Sequence, residues 1–222
     1  MAYNQLGVVL VDDSRVLNLN NGRNIYVANS ISFISAAVAN TAGYTSGGST
    51  PGPTNVIDKF PFASDAGATD VGDLTVARTF VSGQSSSVSG YTSGGLSPLS
   101  SNVIDKFPFA TDANATDVGD LTAVARYAAV GQSSSVSGYT SGGRVSPTSN
   151  LAFIGKFPFA SDANESLIGN LTVVRAYAAG QSSSVSGYAS GGSAPAVSNV
   201  IDKFPFASDA NATDVGDLTV AR

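Results

Sequence analysis

Two phrases recur four times in this chain at nearly constant spacing, and that period limits its fold more than any single residue does. Lys-Phe-Pro-Phe-Ala begins at Lys59, Lys106, Lys156 and Lys203, with spacings of 47, 50 and 47 residues. Gly-Tyr-(Thr/Ala)-Ser-Gly-Gly begins at Gly43, Gly90, Gly138 and Gly187, with spacings of 47, 48 and 49. A period of about 40–50 residues marks a propeller blade or a solenoid unit. Each copy of such a unit is expected to bury its apolar face against its neighbours rather than fold alone.

Aligning the copies gives repeats of about 31–78, 78–126, 126–175 and 175–222, preceded by an N-terminal segment 1–30 read as an anchoring or assembly element. Each later copy opens with Gln-Ser-Ser-Ser-Val-Ser-Gly-Tyr, at Gln84, Gln132 and Gln181. The first is degenerate there, as expected of a terminal repeat that caps an array. Within one repeat the sequence predicts four short strands. The first is a Ser-rich run ending near Val88, and the second is Gly90 to Ser93, stopped by Gly94-Gly95. The third is Asn102 to Phe109, rich in β-branched and aromatic residues, with Pro108 at its end or on an exposed side because it cannot donate to a ladder. The fourth is Val118 to Val124, following the turn-forming cluster Thr111 to Asp117. Asn24 to Ala28 aligns loosely with this fourth strand and is expected to add a strand to the array. No 3.6-residue apolar pattern survives the Gly and Ser density, so the fold class is all-β.

Composition removes several kinds of chemistry. The chain has no Cys and no His, so disulfides, thiolates, the usual zinc, copper and haem ligands and the commonest general base are all missing. Net charge is −5, and the Arg residues fall singly rather than in a stripe, which argues against a nucleic-acid surface. No stretch reaches the roughly 20 apolar residues of a spanning helix. The N-terminus lacks the basic segment and long apolar run of a secretory signal. The expectation is a protein that is not inserted in a membrane and not exported by a cleaved leader. No cofactor is expected.

The recurrent polar residues give the candidate sites. Asp112, Asn114, Asp117 and Asp120 in the second repeat, and Asp209, Asn211, Asp214 and Asp217 in the fourth, alternate oxygen ligands in the manner calcium prefers. The competing reading is a turn in which Asp and Asn cap backbone amides. It is favoured by Leu167 and Asn170 in the third repeat and by Gly67 in the first, which break the pattern. Asn114, Asn164, Asn170 and Asn211 match a glycosylation acceptor pattern that arises by chance in a Thr-rich chain. Phe60, Phe107, Phe157 and Phe204 read as core, with the adjacent Lys on the alternate face; an aromatic platform for sugar is the rival. Arg78, Arg126, Arg175 and Arg222 close the repeats and read as structural, through a hydrogen bond or an Asp pairing; binding of an anionic ligand is the rival. The Ser-Ser-Ser triplets have no His to activate them.

Several of these features together resemble a kelch-like β-propeller blade: an Arg at the repeat boundary, a small-residue strand, an aromatic strand ending in Gly-Gly, and a strand like Asn-Val-Ile-Asp-Lys-Phe. The blade's usual late Trp is absent, and Leu74, Leu121, Leu171 and Leu218 are expected in its place. The resemblance implies an all-β, four-unit kelch-like propeller with a short N-terminal β segment. The near identity of 112–122 and 209–219, with Val11-Asp-Asp-Ser-Arg-Val-Leu-Asn18, resembles the repeat-bearing virion and tail-fibre proteins of marine tailed phages (cyanophages). That resemblance implies a non-enzymatic virion structural protein on the particle surface, synthesised in the host cytoplasm. Its partners would be other virion proteins, further copies of itself, and a host-surface glycan or protein. A carbohydrate-binding module and a self-assembling filament or surface-array subunit are the alternatives. A glycan-degrading enzyme is disfavoured because the recurrent carboxylates lie in turn motifs rather than facing pairs. Since the repeat boundary falls at Arg222, either the ring closes at four units or an edge is left for another subunit.

Overall fold

The computed structural model describes residues 16–18, 24–26, 41–122, 124–194 and 196–222, which separate into two compact bodies, Met1–Ala39 and Asn40–Arg222. In the first, Val16–Asn18 pairs antiparallel with Asn24–Tyr26. Asn24–Tyr26 therefore joins a two-stranded sheet of its own rather than a repeat sheet; residues 27 and 28 of that expected strand lie outside the described residues. The opening of the first repeat, 31–40, lies outside them too.

The second body is all-β. Its described residues hold no helix. The second repeat is a four-stranded antiparallel meander of Ser82–Ser85, Ser89–Ser93, Val103–Pro108 and Thr116–Asp120. The third repeats it with Val130–Ser133, Ser137–Ser141, Phe153–Pro158 and Ser166–Asn170. The fourth does so with Ala179–Ser182, Ser186–Ser190, Val200–Pro205 and Thr213–Asp217. The first repeat shows the last three strands of this pattern, Ala42–Ser46, Val56–Pro61 and Thr69–Asp73. Among the described residues, no hydrogen bond, ion pair or aromatic contact links the first repeat to the fourth.

Two strand boundaries differ from the sequence reading, for local reasons. The first strand ends at Ser85 instead of running to Val88. Ser86 Oγ accepts hydrogen bonds from the Val88 and Ser89 amides, so the side chain replaces the ladder and turns the chain. The fourth strand begins at Thr116 and ends at Asp120, two to four residues earlier than Val118–Val124. A bulge between Ile104 and Asp105 shifts its register, and Asp117 Oδ1 accepts the Gly119 amide. Leu121 then follows the strand as a buried residue. Pro108 sits at the strand end, as its missing donor requires.

The core lies between sheets rather than within any one of them. Along the third strand, alternate side chains serve opposite neighbours. Ile104 clusters with Tyr91, Leu121 and Phe157 toward the third repeat. Phe107 clusters with Ile57, Leu74 and Ala115 toward the first. The next junction repeats this with Tyr139, Ile154, Leu171 and Phe204. Each fully buried ring or aliphatic chain contributes roughly 1.5–3 kcal/mol, and all of that depends on an adjacent repeat being present.

The first strands of successive repeats approach almost backbone to backbone. A Cβ at Gly131 would lie 2.0 Å from the Gly83 carbonyl oxygen, and one at Gly180 would lie 2.4 Å from that of Gly131. Ser side chains complete the stack: the Ser85 amide donates to Ser133 Oγ, and the Ser133 amide to Ser182 Oγ. The small residues of this strand are thus a packing requirement. Gly131→Ala is expected to cost about 1–3 kcal/mol by overpacking against main chain. Gly52→Ala, an exposed site with open space around it, should change stability by no more than about 0.5 kcal/mol. Urea unfolding of both variants measures the contrast.

Candidate functional site: the junctions between repeats

The Arg and Lys residues that recur with the repeat are directed, in the first three repeats, at the repeat that follows. The Arg that closes each repeat is fixed first through its backbone. The Arg78 amide donates to the Thr54 carbonyl and the Gly48 amide donates to the Arg78 carbonyl. The Gly-Gly pair that makes this grip has positive φ at both residues, 65° and 122° at Gly47 and Gly48, a conformation that glycine adopts without steric cost. The Arg backbone is therefore held by its own repeat while its side chain enters the next.

There the guanidinium is fully buried. Arg78 Nη2 donates to Asp105 Oδ2 at 2.8 Å and to the Thr92 carbonyl at 3.0 Å, and its Nη1 donates to Ser101 Oγ and the Val103 carbonyl. Both members of the ion pair have no exposed side-chain surface. Thr75 of the first repeat also binds this carboxylate, its hydroxyl at 2.7 Å and its amide at 3.1 Å. Arg175 and Thr172 hold Asp202 in the same way. Burial lowers the pKa of Arg78 and of Arg175 from the usual value, opposed by the carboxylates Asp105 and Asp202. Only Arg combines a charge that survives burial with a fork of donors for carboxylate and carbonyls at once. The Asp pairing expected for the recurrent Arg is present, and it crosses the repeat boundary.

The middle junction makes the same pair from different positions. Gly155 stands where the second and fourth repeats carry Asp105 and Asp202, and Glu165 stands where they carry Ala115 and Ala212. Glu165 is buried and receives Arg126 through Nη1 at 3.1 Å and Nη2 at 2.5 Å. A Cβ at Gly155 would lie 1.7 Å from Glu165 Oε1, so the Glu carboxylate fills the space the Asp side chain occupies elsewhere. The third repeat thus departs from the others at 155 and 165 as well as at 167 and 170. The signal was available as a lost Asp and a gained Glu ten residues apart in the same copy.

A second, exposed layer lies at the rim. Lys59, Lys106 and Lys156 reach Asp112, Asp162 and Asp209 of the following repeat at 2.9–3.0 Å. The hydrogen bond to the carboxylate raises the pKa of Lys59 and of Lys106. Tyr44, Tyr91 and Tyr139 stack on Phe109, Phe159 and Phe206 of the following repeat, with centroids 4.7–4.8 Å apart. Phe107, Phe157 and Phe204 are buried, as expected of core residues, whereas Phe60 in the first repeat, which has no repeat sheet before it among the described residues, is only half-buried.

Six of the eight candidate calcium ligands have oxygens engaged in this framework; Asp120 and Asp217 form no side-chain hydrogen bond or ion pair among the described residues. Asp112 and Asp209 hold Lys59 and Lys156. Asn114 and Asn211 accept the amides of Asp73 and Asn170 in the preceding repeat. Asp117 and Asp214 each accept the amide two residues on, at Gly119 and Gly216. The structure distributes the set between a rim ion pair, an inter-repeat bond and a bulge instead of gathering it around one point. Among the described residues, no group of three or more His, Cys, Asp or Glu is placed to hold a metal ion.

Away from the junctions, the Pro- and Ser-containing loops form small hairpins such as Leu96–Ser97 with Leu99–Ser100. A cleft of about 510 Å³ lies between the loops of the first two repeats, lined by Pro51, Pro53, Phe80, Leu96 and Pro98. Phe80 is half exposed there and sits edge-on to Tyr177, 5.8 Å between centroids. Comparison with family models and with curated proteins returned no match to this chain.

The swapped pair gives a direct test of the junction. Glu165→Ala alone leaves Arg126 buried without a counter-charge and is expected to cost about 3–5 kcal/mol. Gly155→Asp alone places a second carboxylate against Glu165 and is also destabilising. The double variant restores the Asp/Ala arrangement of the second and fourth repeats. It should return to within about 1 kcal/mol of the parent, a strong non-additivity between contacting sites. Denaturant unfolding of the four proteins closes the cycle.

Proposed function

We propose that this chain is a non-enzymatic structural protein of a phage particle, a tail fibre or surface decoration, with its repeats arranged as the blades of a kelch-like propeller. The observation that carries the non-enzymatic reading is the use of the recurrent ionic side chains. Arg78, Arg126, Arg175, Lys59, Lys106 and Lys156 are all spent on holding one repeat to the next. A catalytic site needs charged groups convergent on a cavity, whereas these converge on a neighbouring sheet. The phage assignment rests on the N-terminal Val11-Asp-Asp-Ser-Arg phrase together with the near identity of the repeats. Display of similar repeats also suits weak multivalent attachment to a host surface.

A carbohydrate-binding role is the second reading, favoured by the cleft with the half-exposed Phe80 at its edge. An aromatic face beside neutral Pro and Ser loops is suited to an uncharged sugar ring. Under the structural reading, mass spectrometry of purified particles recovers this protein as a stoichiometric component, and antibodies to it decorate the particle surface. Its absence from particles, with no binding of the purified protein to host cells, would sink that reading. Glycan binding lost in Phe80→Ala with the fold intact would move the assignment to the second.

A further inference from the structure

The fourth repeat carries the Lys, Arg, Tyr and Gln with which earlier repeats grip a successor. Lys203 stands where Lys59, Lys106 and Lys156 form rim ion pairs, and Arg222 where Arg78, Arg126 and Arg175 enter the next sheet. Tyr188 stands where three tyrosines stack on a following Phe. Gln84 and Gln132 are buried and donate to the Tyr139 and Tyr188 carbonyls of the next repeat, whereas Gln181 is exposed. A Cβ at Gly72, Gly119 or Gly169 would lie 2.4–2.6 Å from a carbonyl oxygen of the following repeat, yet one at Gly216 would meet nothing within 4 Å. The Arg222 carbonyl is gripped by the Gly192 amide as in the other repeats, so its backbone is placed as at the occupied junctions. Arg222 is exposed, and among the described residues neither it nor Lys203 has an acidic partner.

The complementary features stand on the first repeat. Asp58 is the counterpart of Asp105, the carboxylate that takes Arg78, and Asp65 that of Asp112, which takes Lys59. Phe62 is the counterpart of the Phe residues that lie under a preceding Tyr, and it is 62% exposed. Ala66 is the counterpart of Ala113, the residue that crowds Gly72. The fourth repeat thus presents two cations and a Tyr, and the first presents two anions and a Phe, in the arrangement the first and third internal junctions use.

We propose that the outer face of the fourth repeat binds the first repeat of a second copy of this chain. The intermolecular contact would continue the intramolecular junction, with Lys203 on Asp65, Arg222 on Asp58 and Tyr188 over Phe62. Such a contact is heterologous, so copies add head to tail, as an open chain or a closed ring, rather than through one self-complementary two-fold patch. The inference does not depend on the particle on which the protein is displayed.

Sedimentation velocity of the full chain over a wide concentration range tests it. The expected result is a mass that rises with concentration through two copies and beyond. Lys203→Glu and Asp65→Lys each place like charges across the contact and should weaken association by about tenfold. Both sites are at least partly exposed in the single copy, so the fold should survive. The double variant, with the charges exchanged, should recover association. A single copy at every concentration overturns the proposal, as does association that ignores both single reversals or a double variant that fails to recover. Failure here leaves the particle-display reading standing, and absence from particles leaves this one standing.

Discussion

A buried guanidinium bound by a carboxylate from the next repeat is the interaction on which the body 40–222 depends. Removing both charges from water costs several kcal/mol per ion, and the pair recovers that only with near-ideal geometry and further hydrogen bonds. Here the geometry is fixed from both sides. The Gly-Gly loop grips the Arg backbone in one repeat, while Thr75 or Thr172 from that same repeat orients the carboxylate of the next. A repeat slipped by one residue would leave an unpaired ion in an apolar layer, so the pair fixes the register as well as the contact. The one cost left in place is the Nε of Arg78, Arg126 and Arg175, buried without a partner in each junction.

The rest of the repeat follows from that requirement. Stacked sheets bring main chain close to main chain at the first strand, which demands Gly131 and Gly180. They bring Tyr over Phe at the middle strands, which accounts for both recurring phrases. With no apolar layer internal to a sheet, the energetics reduce to repeat terms and nearest-neighbour terms. The low proportion of charged residues, 12% of the chain, has the same origin. In the first three repeats the recurrent Lys and Arg residues are consumed in pairs at junctions, and much of the remaining surface is built from Ser, Thr, Gly and Pro.

The period, the all-β class, the burial of Phe107, Phe157 and Phe204 and the structural role of the recurrent Arg residues were legible in the sequence because each depends on residue type repeated at fixed spacing. Strand ends were not, because they are set by single hydrogen bonds. Ser86 accepting the Val88 amide and Asp117 accepting the Gly119 amide each move a boundary by several residues without altering composition. The direction of Lys59, Lys106 and Lys156 was half legible. Alternation puts them on the face opposite Phe, but only the stack shows that this face is covered by the next repeat. Glu165 escaped notice because its partner at the same junction is the absence of a side chain at Gly155.

That exchange also shows what the junction constrains. Arg126 requires a carboxylate at one point in space and is indifferent to which strand delivers it, so positions 155 and 165 vary together while the charge pattern stays fixed. The Pro and Ser hairpins face no comparable demand. They differ in sequence among 96–100, 144–150 and 193–197, and they touch one another through single bonds such as Ser100 to the Val145 carbonyl and Asn150 to the Ser193 carbonyl. Variation in these loops costs the buried pairs nothing. A stack held by repeated buried ion pairs and edged by loops of differing sequence separates the positions the junctions fix from the positions they leave unconstrained.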